Sequence, residues 1–168
     1  THGYPEVNNT LYGVDPATGA IVISRPLTGT TWSVLDFEYL DGFLWGYDWR
    51  ATTPGTLVRM DPATGTVISF PGAIPVGTTG TSGAWGAAWK FGNGNLGFSN
   101  NQSGTIAQVR ITDPAGTPTF ELVAQVAGPA SSGNDGTAIP GLPADLAITK
   151  ATPAAFVAGD RISYDITV

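Results

Sequence analysis

Four carboxylates and seven aromatic rings crowd into the nineteen residues WSVLDFEYLDGFLWGYDWR, from Trp32 to Arg50. Paired carboxylates are the working groups of glycoside hydrolysis, and aromatic faces stack on sugars. In an extended strand Asp36 and Glu38 share one face, about 7 Å apart at a rise of about 3.3 Å per residue. Such spacing is common without catalysis. Three readings of the stretch follow: core packing between sheets with the acids on loops and rims, a sugar-binding surface built on Trp45, Tyr47 and Trp49, or a hydrolase using Asp36 and Glu38. The packing reading asks least of the residues, so no catalytic residue is assigned and the chain is expected not to be an enzyme.

Other chemistry has little material. His2 is the only histidine and cysteine is absent, so triads, thiolate nucleophiles and zinc sites lack their parts. No metal and no cofactor is expected. The pentapeptide Asp-Pro-Ala-Thr-Gly occurs twice, at Asp15–Gly19 and Asp61–Gly65. Calcium takes about six to eight oxygens, often several carboxylates, and each copy offers one carboxylate. Turn geometry explains every position: Asp caps the turn, Pro sets φ, and Gly19 and Gly65 accept a left-handed backbone. The Gly/Asn-rich FGNGNLGFSNNQSG (Phe91–Gly104) lacks the Lys-Ser/Thr pair and helix of a phosphate loop. It reads as turns.

These groups need a scaffold, and composition describes it. Of 168 residues, 42% are hydrophobic and only 12% charged, with 23 Gly and 13 Pro. A core can form, cut into short pieces by turns. The net charge of −6 and two lysines, Lys90 and Lys150, argue against a nucleic-acid groove. No apolar run reaches the ~20 residues of a membrane span, so no membrane insertion is expected. The chain opens on Thr1 without Met or leader, which reads as a mature protein or a piece of a longer one. Low charge with abundant Thr and Gly fits a bacterial extracellular or cell-surface protein.

No segment has a helical period; the strongest candidate for non-β structure is Ala84–Lys90. The fold class is therefore all-β. Asp15 recurs as Asp61 after 46 positions, and ITDPAGTP places Asp113 another 52 on. DGFLWGYD (Asp41–Asp48) aligns with GNGNLGFSN (Gly92–Asn100), and WSVLDFEYL with AWGAAWKF. SSGNDGTAIPG (Ser131–Gly141) begins a further copy. Four strands in about 45–50 residues is the period of a propeller blade. The expectation is a β-propeller-like array of four-stranded antiparallel blades, about two and a half of them, over residues 1–141. After a Pro/Gly linker, residues 142–168 carry further strands.

The last segment, ADLAITKATPAAFVAGDRISYDITV (Ala144–Val168), resembles the opening of the immunoglobulin-like repeat known as domain of unknown function 11. LYGVDPATG, GNLGFSNNQSGTIAQV and SSGNDGT carry a resemblance of residues 10–141 to a propeller-like family found just before such repeats. The two resemblances imply an extracellular or wall-associated bacterial protein without known catalytic residues. A full immunoglobulin-like sandwich needs about seven strands; about three are here, and their edges invite pairing. Ile162, Tyr164, Ile166 and Val168 share one face of the last strand. They are expected to complete a neighbour's sheet by strand addition, head to tail, building a filament. The expected partners are other copies of the chain, other surface-protein domains, and glycans.

Overall fold

A computed structural model describes residues 9–74 and 83–137, together with the backbone of residues 149–150 and 166–167. Every regular element among the described residues is a strand. Strands β1 (Thr10–Val14) and β2 (Ile21–Pro26) form an antiparallel ribbon around the first DPATG turn. The short β3 (Thr28–Gly29) follows. Next come β4 (Phe37–Leu40), β5 (Phe43–Tyr47), β6 (Leu57–Met60) and β7 (Thr66–Phe70), an antiparallel meander with β3 laid parallel along β7. A second four-stranded meander comprises β8 (Trp85–Lys90), β9 (Leu96–Asn100), β10 (Thr105–Thr112) and β11 (Thr119–Ala127). Finally β12 (Thr149–Lys150) pairs antiparallel with β13 (Ile166–Thr167). The rest of the expected immunoglobulin-like segment lies outside the described residues, including Ile162, Tyr164 and Val168; Ile166 is described only as backbone in β13.

The all-β class therefore holds, with one local correction. Ala84–Lys90, the best candidate for non-β structure, is almost entirely strand β8. Its Gly86 does not break the strand but sits where the pairing with β9 shifts register between Trp85 and Ala87. A bulge absorbs the extra residue.

Two apolar clusters explain why the sheets stack. Strand periodicity sends neighbours to opposite faces. In β6, Leu57 enters one cluster and Val58 the other, and both are fully buried. The first cluster joins the two meanders: Trp45, Tyr47 and Leu57 from one meet Trp85, Phe98 and Val109 from the other. The second lies on the opposite face of the first meander, where Val34, Met60 and Val67 are flanked by Leu11 of the ribbon and by Trp32. The first meander is thus covered on both faces.

The two DPATG turns make the same hydrogen bonds. In the first, Ala17 N–H donates to Asp15 Oδ1 at 2.9 Å and Thr18 Oγ1 to Oδ2 at 2.9 Å. In the second, Ala63 N–H donates to Asp61 Oδ1 at 2.7 Å and Thr64 Oγ1 to Oδ2 at 2.8 Å. Gly19 and Gly65 have φ of 71° and 80°, the region glycine favours. These bonds hold both carboxyls below their ordinary value. Besides the looser copy at Asp113, where Gly116 and Thr117 N–H donate to the carboxylate, the same turn geometry recurs in Asn100–Gly104, between β9 and β10. Gln102 and Ser103 N–H donate to Asn100 Oδ1 at 3.0 and 2.9 Å, and Gly104 has φ of 70°. The signal that finds it is Asp/Asn-x-x-Ser/Thr-Gly: an acceptor, a hydroxyl three residues on, then glycine.

Candidate functional site: the junction at Asp36

Asp36 stands just ahead of β4, on the segment that enters the first meander. Its Oδ1 accepts from its neighbour Phe37 N–H at 2.9 Å. Its Oδ2 accepts from Ala88 N–H in β8 at 2.7 Å and from Gly136 N–H at 3.1 Å. One carboxylate therefore ties together three segments, 52 and 100 residues apart in sequence. Burial raises its pKa, the backbone bonds act against that shift, and the charge of Asp135 adds to it. Gly136 is required here because a Cβ would run into the backbone of Ala88.

Asp135 repeats the local geometry of Asp36: Gly136 N–H donates to Asp135 Oδ1 at 3.0 Å, as Phe37 does to Asp36. A second pair of staples also recurs. Ser33 N–H donates to Asp48 Oδ1 at 3.1 Å, and Gly86 N–H to Asn101 Oδ1 at 3.0 Å. Asp48 takes Arg50 N–H as well, and burial raises its pKa. Glu38 lies on β4, accepts from its neighbour Tyr39 N–H at 3.0 Å, and is raised mainly by burial. Asp36 and Glu38 are thus each engaged with backbone, Asp36 across three segments.

The aromatic stretch goes largely inward. Trp45 is 0% exposed and Tyr47 2%, so neither offers a ring face to a ligand in this structure. Tyr47 stacks on Trp85 with centroids 4.3 Å apart, and its hydroxyl accepts from Gly55 N–H at 2.9 Å. Trp49 is half-buried against the first cluster, with the Arg50 guanidinium 4.5 Å from its ring centre. Sequence reasoning missed Arg59. It lies over Phe43, Trp45 and Phe70 and donates to the Pro114 carbonyl at 2.7 Å, bridging β6 to the β10–β11 turn. A lone cation within the apolar strand Leu57–Met60 was its only signal.

The two ends of the stretch do meet. A cavity of about 740 Å³ is lined by Trp32, Ser33, Asp48, Arg50, Thr56 and Ser69, among others. Most of its lining residues are Thr or Ser, beside one carboxylate, one guanidinium and one indole. Among the described residues no three His, Cys, Asp or Glu side chains gather as metal ligands, and no helix is long and apolar enough to cross a membrane.

Two consecutive meanders share the same staple, Ser33 to Asp48 in the first and Gly86 to Asn101 in the second, as a repeat protein does. Residues 4–141 match the family model Repeat of unknown function (DUF6923), and the chain belongs to that family. No curated protein and no solved structure matches it.

Proposed function

We propose that this chain is a non-enzymatic repeat scaffold of an extracellular or cell-surface protein, structural or adhesive in role. In this reading the two meanders are consecutive blades of a propeller-like array. The observation that carries the proposal is the Asp36 carboxylate, the best-placed acid of the sequence, spent on backbone N–H groups of two other segments. Such a group joins repeats; it does not turn over a substrate. The close approach of β4 to β8 and the core shared by the two sheets support side-by-side blades. Assembly would then proceed by strand addition through the face of Ile162, Tyr164, Ile166 and Val168, extending a filament. Sedimentation velocity from micromolar to hundreds of micromolar should give species growing well beyond the 17.3 kDa chain. A monomer across that range would overturn the assembly. Protease shaving of intact producing cells should release peptides from residues 9–137; recovery only after lysis would overturn the surface location.

The hydroxyl-rich cavity favours a second reading, glycan binding at Trp32 rather than at Trp45. Its volume falls within the range of about 300–1,000 Å³ usual for small-molecule sites. Retention of glycans by the chain should be lost in Trp32→Ala. Undiminished retention would remove the cavity from consideration.

A further inference from the structure

The cavity at Trp32 has a neighbour. A second cavity, of about 290 Å³, is lined by Asn9, Thr28 and Gly29, among others. Thr30, Thr31 and Trp32 line both, so the two spaces adjoin along this segment. The segment is held at each end. Thr30 N–H donates to the Val67 carbonyl at 3.2 Å, and Thr30 Oγ1 lies 3.1 Å from Ser69 Oγ. Ser33 N–H donates to Asp48 Oδ1, and the Ser33 carbonyl accepts from Trp49 N–H at 3.2 Å. Phe37 meets the Trp32 ring in a T-shaped contact, with centroids 5.5 Å apart. Trp32, itself half-buried, is therefore carried on a fixed backbone between two spaces.

We propose that the two cavities are adjacent subsites for a neutral oligosaccharide, which lies across Trp32 with neighbouring sugar units in the two spaces. The proposal rests on the glycan reading above and gives that ligand its length and its charge. Charge is scarce around Trp32. Asp48 is 7% exposed, and its Oδ1 takes two backbone N–H groups, of Ser33 and Arg50. The Arg50 guanidinium lies over the Trp49 ring. Among the described residues, the smaller cavity is lined by no charged side chain. A Ser or Thr hydroxyl donates one hydrogen bond and accepts two, and a sugar hydroxyl does the same, so the two sets can pair in either sense. The indole adds a flat apolar face for the C–H side of a sugar ring. An apolar ligand would bury these hydroxyls without partners, at a cost. The smaller cavity sits at the lower end of the range of about 300–1,000 Å³ usual for small-molecule sites, which suits a single unit beside a longer stretch in the larger one. Because the Thr30–Ser33 segment is already fixed, binding need not pay to order it.

The test is an NMR titration of the isotope-labelled chain, followed through its amide and indole N–H signals. The probes are two neutral series: N-acetylglucosamine, chitobiose and chitotriose, and glucose, cellobiose and cellotriose. Trp32→Phe assigns the Trp32 indole signal. In at least one series the disaccharide or trisaccharide should bind about tenfold or more tightly than its monosaccharide. It should shift the Trp32 indole together with amides of both cavities, Gly29 in the smaller and Thr53 in the larger. The buried indoles of Trp45 and Trp85 should stay in place. Longer sugars that bind no more tightly than the monosaccharide, or that shift the amides of one cavity only, would overturn the paired subsites and leave the glycan reading standing. No shift of the Trp32 indole with either series would remove both readings.

Discussion

Replacing Asp36 with alanine isolates the contact that joins three segments. The variant leaves Ala88 N–H, on a residue 1% exposed, without its acceptor, while the half-buried Gly136 N–H keeps Asp135 Oδ1. A buried donor left unsatisfied costs about 1–3 kcal/mol. With one donor left unsatisfied, the loss should total about 1–3 kcal/mol. Asp36→Asn keeps one carbonyl oxygen for Ala88 N–H and should lose less than half as much. The pH dependence has a defined sign. Burial raises the folded-state pKa of Asp36, so this part of its contribution is full below the unfolded pKa and fades as pH rises through the folded one. The gap between native chain and Asp36→Ala should therefore be widest near pH 3 and narrow toward pH 7. Urea unfolding followed by tryptophan fluorescence measures it, since Trp45 and Trp85 both lie in the shared core. A loss under about 0.5 kcal/mol, or a gap that widens with pH, would refute the role given to Asp36.

The two DPATG glycines should separate in thermal unfolding. Gly19→Ala meets open space and bears only the left-handed backbone cost of about 1–2 kcal/mol. Gly65→Ala adds a collision with the Pro26 carbonyl and should lower the midpoint at least twice as far; equal shifts would contradict the packing of β2 and β3 beside that turn. Trp45 should tolerate phenylalanine better than alanine. Its Nε1 is buried without a partner, so Trp45→Phe loses mainly volume, about 1–2 kcal/mol, against about 3–5 for Trp45→Ala. Chemical denaturation midpoints decide it, and equal losses would refute the packing account.

Much of the fold was legible because it is written in local chemistry. The strand pieces follow from Val, Ile and aromatic runs cut by Gly and Pro. The DPATG turns follow from an acceptor, a hydroxyl and a glycine at fixed spacing, all satisfied within five residues. Asn100–Gly104 obeys the same rule and was missed because only its residue types, not its letters, repeat. What stayed hidden depends on distance across the fold. Asp36 looks like any strand-end acid, and its partners arrive 52 and 100 residues later. Trp45 and Tyr47 resembled a binding face, but a sheet covered on both sides gives its aromatics no solvent. The sequence by itself determined the strands, the turns and the repeat period, since these need only neighbours. The tertiary structure alone decided which carboxylate joins the repeats and which rings are buried. Each of these depends on which sheet comes to lie against which face.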